Sequence, residues 1–273
     1  PPSRCIVDFV DVDSQKWLDY ANTASKPQAI LYRLEGNRLR RFECELDGLA
    51  KFLVFVTEQE SAIYRSFHIS EKVRVVENGV DLKYFDPSAE VLPPPTPGMP
   101  LRLVFVGAMD YYPNVDGVTW FIQKVWPHIR DKCDVVFQIV GAGAGKGLRR
   151  LVEETPGVTL VGDVPDVRPY LRESIGVIPL RIARGLQNKV LEAMAMGCPV
   201  VASPAALEGL DVRVGHDVLA ANGVEDWVGQ LTQLIHSPDM RKQLGAAARC
   251  RIENRYHWPD RLKVLEELLD LNG

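Results

Sequence analysis

Lys189 and Glu192, three residues apart in the stretch GVIPLRIARGLQNKVLEAMAMGCPVVAS (176–203), are the pair whose types and spacing suggest chemistry. On a helix they share one face. An ammonium there can neutralise phosphate, and a carboxylate one turn on can accept two hydroxyls of a ribose.

The elements around the pair favour such a ligand. Residues 176–179 form a short apolar run, and Val190, Leu191, Met194 and Ala195 recur at helical spacing. Asn188 is the expected N-cap, Gly197 stands where a C′ glycine belongs, and Pro199 forbids continuation. The loop residues Gly185, Leu186, Gln187 and Asn188 therefore bring backbone N–H groups to a helix N-terminus at the carboxyl end of a strand. In open parallel sheets that is where phosphates and nucleotides bind. A lysine in the first turn opposes the helix dipole unless an anion shares the site. The same two residues also fit a solvated ion pair worth ~0.2–0.5 kcal/mol.

Other constellations carry less. Gly141-Ala-Gly143-Ala-Gly145-Lys146-Gly147 is not a Walker A loop: its second glycine comes one position early, and Gly147 replaces the Ser or Thr. It reads as a tight strand-to-helix turn. Asp11-Val-Asp13 invites a metal, yet both aspartates also fit a strand end and a helix N-cap. His216, His236 and His257 have no nucleophile or paired carboxylate at informative spacing, so nothing supports a hydrolytic triad.

A chain of 273 residues has a prior of two domains. Its 46% hydrophobic content, 25% charged content and net charge of −4 argue against nucleic acid as main partner. No apolar run approaches the ~20 residues of a membrane span. Five scattered cysteines read as reduced packing residues of a cytoplasmic protein.

In order, a strand at 4–10 leads to a helix from about Gln15, and a long amphipathic helix at 28–49 turns Leu31, Leu34, Phe42, Leu46 and Leu49 to one face. Arg33, Arg38, Arg40 and Arg41 lie on its other face, solvated or against an anionic surface. Strands follow at 52–56 and 73–77, with Thr57-x-x-Glu60 as a capping box between them. Six prolines between 87 and 100 mark a linker, and the domain boundary is expected inside it. Beyond it, strands and helices alternate, which predicts a parallel, doubly wound α/β sheet and then a helical tail at 224–236, 238–254 and 259–270.

GLQNKVLEAMAMGCPVV resembles the nucleotide-sugar signature of retaining family-4 glycosyltransferases, which have the GT-B architecture of two Rossmann-like domains. Their pattern is E-x(7)-E followed by AMA-x-G-x-PVV. Glu192 falls on the second glutamate, which in the family holds the donor ribose; Arg184 falls on the first, a departure. Gly107 follows the first strand of the second domain, where the family has VG-R and a nearby lysine; Ala108 and DYYPNVDG stand here instead. Asp163 and Val164 match the family loop whose backbone reads the nucleobase. The wording AR-G-x-QNK-x-LEAMA, with YYPNVDG upstream, is most similar to transferases of exopolysaccharide assembly.

The resemblance implies transfer of a sugar from a nucleotide-diphosphate sugar to a glycan or lipid-linked acceptor, with retention and with no cofactor or metal. Lys189 and Arg184 would act on the diphosphate, and the enzyme would work in the cytoplasm, free or peripherally at the inner face of the membrane. It implies a partial acceptor-side domain at 1–90, a linker at 91–100, a nucleotide-sugar domain at 101–255 and a terminal helix at 256–273 crossing back to the first domain. Two other readings stay open. One is a nucleotide-sugar-binding protein without transfer activity, favoured by Arg184 and the missing cations; the other is a nucleotide-sugar 2-epimerase of the same architecture. Three strands before the linker, against five or more in a doubly wound domain, predict the C-terminal part of a longer chain. Such a piece would keep the donor half-site, self-associate through its cut sheet and transfer no sugar alone.

Overall fold

A computed structural model describes residues 5–89, 98, 100–183 and 185–269. It divides into two compact units, Pro1–Gly79 with Trp258–Gly273, and Val80–His257.

The first unit carries a parallel sheet in the order β1 (Ile6–Val10), β2 (Phe52–Phe55), β3 (Val73–Val75). Leu53, Phe55, Val73 and Val12 meet Tyr64 of α3 (Glu58–Phe67) in its core, because alternate residues of β2 share one face. The Thr57 hydroxyl caps α3 by accepting from the Glu60 N–H, as the capping box requires, while the Glu60 carboxylate accepts from the Val12 N–H at 2.7 Å.

α1 (Asp13–Thr23) starts two residues earlier than expected, and α2 spans Lys26–Asp47. The leucine-rich face of α2 does not point inward: Leu31, Leu34, Phe42 and Leu49 are exposed, and Ala29, Gly36 and Glu43 are buried. Close approach decides this. A Cβ on Gly36 would stand 2.9 Å from the Leu18 side chain of α1, so the small residues make the contact. Arg40 leaves the solvated set, with its guanidinium 4.2 Å from the Phe67 ring centre and bonded to Gln15 at 2.6 Å.

The second unit has a six-stranded parallel sheet, ordered β6 (Val158–Gly162), β5 (Val135–Val140), β4 (Leu101–Val106), β7 (Ser174–Ile178), β8 (Val200–Ala202), β9 (Leu219–Ala220). Near-continuous runs such as LRLVFV and SIGVI suit strands covered on both faces. The covering helices are α4 (Tyr112–Lys124), α5 (Trp126–Arg130), α6 (Lys146–Glu153), α7 (Arg168–Leu171), α8 (Asn188–Ala195), α9 (Pro204–Leu207), α10 (Val224–His236) and α11 (Pro238–Arg255). Strand order runs one way from β4 to β6 and the other way from β7 to β9. The switch point lies between β4 and β7, and in sheets of this kind ligands bind at the carboxyl ends there.

The proline-rich stretch expected as a linker falls largely on 90–97 and 99, outside the described residues. The division between units comes earlier, at Gly79 and Val80, because the segment after it is bonded into the second unit. The Val80 N–H donates to the Tyr256 carbonyl at 2.6 Å, Arg168 donates to that of Tyr84 at 2.8 Å, and Arg249 to that of Phe85 at 2.5 Å. The last helix, α12 (Trp258–Leu268), belongs with the first unit, where Arg261 pairs with Glu77 at 3.0 Å.

Candidate functional site

β7 ends at Ile178, and the chain returns through 179–187 to start α8. Asn188 is not the N-cap; it is the first helical residue, and Gln187 occupies the cap position without its side chain accepting from a first-turn backbone N–H. The C-terminal signals act as read. Gly197 takes φ of 63°, its N–H donates to the Met194 carbonyl at 2.9 Å, and the Cys198 N–H donates to that of Ala193 at 3.0 Å, a Schellman closure.

This geometry turns Lys189 toward the end of β4. Its ammonium donates to Asn114 Oδ1 at 3.0 Å and to Gln187 Oε1 at 3.3 Å, and lies 5.7 Å from the centre of the Phe105 ring. Burial pushes the lysine down to a pKa of about 8, against a smaller opposing pull from Glu192. Burial likewise raises the Glu192 carboxyl above the usual carboxylate range, with Lys189 opposing. A cation and an anion one turn apart, both partly withdrawn from water, form a dipolar pair suited to a ligand with phosphate at one end and hydroxyls at the other.

Close backbone approach shapes this end of the sheet. Gly107 directly follows β4 and Gly141 directly follows β5. A Cβ on Gly141, whose φ is 143°, would stand 1.9 Å from the Gly107 carbonyl oxygen. One on Gly117 would stand 2.6 Å from the Pro179 carbonyl oxygen, so α4 presses on the loop after β7. The glycine-rich 141–147 segment is a tight β5-to-α6 turn, with α6 beginning at Lys146.

Gly107 and Lys189 thus meet at the end of β4, with Glu192 one turn on along α8 and Gly185 (φ 60°), Leu186, Gln187 and Asn188 on the approach to that helix. Asp163 and Val164 follow the end of β6, the strand at the sheet edge, with Asp163 exposed. Arg184 lies outside the described residues. Arg181 lies 3.6 Å from Asp116. Asp11 and Asp13 both bind Lys16, at 2.9 and 3.0 Å. Among the described residues, no three His, Cys, Asp or Glu side chains are grouped to hold a metal ion. Sequence reasoning missed Asn114 and Phe105. YYPNVDG was marked only as a family wording, and nothing local says that its asparagine reaches a lysine 75 positions on.

Comparison with known proteins places this geometry. A curated relative is an uncharacterized glycosyltransferase of Haemophilus influenzae, 28% identical over 161 residues, 56% of this chain and 44% of the relative. The match thus spans less than half of the relative's length. Sucrose-phosphate synthase from Thermosynechococcus elongatus has the same fold, with a TM-score of 0.74 at 18% identity over 98% of this chain and 67% of that one. HepE of Anabaena, solved with UDP and glucose, gives 0.70 at 13% identity over 97% and 71%. These likenesses establish GT-B architecture, with the six-stranded sheet as the fuller of the two. The family described as glycosyl transferases group 1 matches residues 100–237, every strand and helix from β4 to α10, and the chain belongs to that family.

Proposed function

We propose that this chain carries the donor half-site of a retaining glycosyltransferase, which passes sugar from a nucleotide-diphosphate sugar to a glycan or lipid-linked acceptor. One observation carries the reading: a half-buried lysine in the first turn of α8, at the switch point, with Glu192 one turn on. The HepE complex with UDP and glucose supports a nucleotide donor.

In this reading the diphosphate rests against Lys189 and the amides of 185–188, beside Gly107. As the anomeric bond lengthens toward an oxocarbenium ion, charge builds on the β-phosphate, and these preoriented groups stabilise it. The acceptor hydroxyl attacks from the face the phosphate leaves and gives that phosphate its proton, so retention needs no protein base. Glu192 accepts from the ribose hydroxyls, and the backbone at Asp163 and Val164 reads the base. Arg184 reaches the diphosphate or an acidic sugar, so Arg184→Glu lowers activity through repulsion; a gain on neutral hexose donors would refute that role. The enzyme serves exopolysaccharide assembly in the cytoplasm, at the inner face of the membrane. Among the described residues no helix is long and apolar enough to cross one.

Calorimetry with UDP and GDP tests the site. Glu192→Ala weakens nucleotide binding by about 1.5–3 kcal/mol, the range for a hydrogen bond to a charged group, and chelator leaves the isotherm unchanged. Equal affinity in both proteins removes Glu192 from the site.

A further inference from the structure

We propose that Asn114 is a positioning residue of the donor site, whose carboxamide fixes the Lys189 ammonium against the end of β4 so that it meets the diphosphate from one direction. The inference rests on the donor-site reading above.

Asn114 is 3% exposed and belongs to the first turn of α4. Its Nδ2 donates to the Ala108 carbonyl at 2.8 Å, which orients the amide and leaves Oδ1 facing Lys189 Nζ at 3.0 Å. The fit is tight on the far side. A Cβ on Gly107 would stand 2.8 Å from Asn114 Nδ2 and 3.3 Å from Lys189 Cε, so the glycine leaves room for both side chains. Gln187 accepts a second bond from the ammonium at 3.3 Å, and the Phe105 ring centre lies 5.7 Å from it. Three separate segments therefore converge on one cation.

The residue type matters. A carboxylate at 114 would neutralise the lysine and repel a phosphate, whereas an amide oxygen orients the cation and leaves its charge available. The charge acting on Lys189 is Glu192, from its own helix; α4 and β4 contribute Asn114 and Phe105, which do not titrate. Burial without a fixed counterion agrees with a lysine pKa of about 8.

The test uses Asn114→Asp and Asn114→Ala, with Asn114→Ser in reserve should alanine unfold the chain and thermal melts to confirm folding. The Lys189 ¹³Cε shift is titrated without ligand, and UDP affinity is measured across pH 6.5–9.5. Asn114→Asp moves the lysine titration to higher pH and lowers UDP affinity about tenfold; Asn114→Ala lowers affinity about tenfold, the loss of one charge-assisted hydrogen bond. A purely structural role would change the melt but not the titration. An unmoved titration in Asn114→Asp, or wild-type UDP affinity in Asn114→Ala, overturns the inference. Wild-type protein that binds none of UDP, GDP and ADP overturns the donor-site reading instead, while the titration still decides whether Asn114 holds Lys189.

Discussion

The loop after β1 and the loop after β7 are the same device finished in two ways. Each leaves the carboxyl end of a parallel strand and enters a helix whose N-cap side chain accepts from no backbone N–H of the first turn, Val12 for α1 and Gln187 for α8. Each also carries a lysine within the first four helical residues, Lys16 and Lys189. After β1 the chain supplies its own anions. Glu60 accepts from the Val12 N–H, and the buried Glu43 accepts from the Ser14 N–H at 2.8 Å and from its hydroxyl at 2.5 Å. Lys16 is paired with Asp11 and Asp13; burial would lower its pKa, but the two carboxylates outweigh burial and raise it. After β7 the lysine meets amide oxygens, and burial lowers it. A helix start closed by internal carboxylates is structural. The start of α8 instead holds its cation against neutral amide oxygens, an arrangement that suits an external anion under the proposed donor-site reading.

The comparison can be broken by substitution. The largest effect is expected at the closed loop. Glu43→Ala leaves the Ser14 donors buried without an acceptor and lowers stability by about 3 kcal/mol or more in urea unfolding. At the open loop, Lys189→Met weakens UDP binding by about 10–100-fold in calorimetry. The same Lys189→Met raises the stability of the nucleotide-free protein by about 0.5–2 kcal/mol, as expected where function keeps a strained charge. A destabilised Lys189→Met protein would place the lysine among structural residues.

The smallest effect is in pH dependence, and the two lysines differ in sign. Lys189 has a folded pKa lowered to about 8, so below that pH the folded state carries the cost of charging it, and the cost is relieved as pH rises from 8 toward the unfolded value. Wild-type stability therefore gains on Lys189→Met between pH 8 and 10. Lys16 has a raised folded pKa, so its contribution is complete below the unfolded value and lost only above it. Lys16→Met should be less stable than wild type by a constant amount across pH 6–9. Parallel urea midpoints that show the same pH slope for both variants would erase the distinction.

Much of this was legible in the sequence because the signals were local. Strand–helix alternation, Gly197 closing α8 and the Thr57 cap all depend on neighbours within a few positions. So does the pairing of Lys189 with Glu192. The errors share a different cause. Leu31, Leu34 and Phe42 looked like the inner face of α2, yet the helix packs through Ala29 and Gly36, because closeness to α1 rewards small residues that hydrophobicity patterns undervalue. Asn188 has the chemistry of an N-cap, but the backbone enters α8 one residue earlier. Asn114 reaches Lys189 only because β4 and β7 are neighbours in a sheet whose order follows the whole chain.

The contact between Gly141 and Gly107 bears on inheritance. With 1.9 Å between a notional Cβ on one and the carbonyl oxygen of the other, position 141 cannot gain even a methyl unless the turn after β4 shifts, and that shift would carry Lys189 and Asn114 with it. Gly145, capping α6, and Gly147, in its first turn, face open space and are free to drift. In a saturation library selected for nucleotide binding, Gly141 should therefore be as intolerant as any core residue although it is only half-buried, and Gly145 and Gly147 should accept most residues.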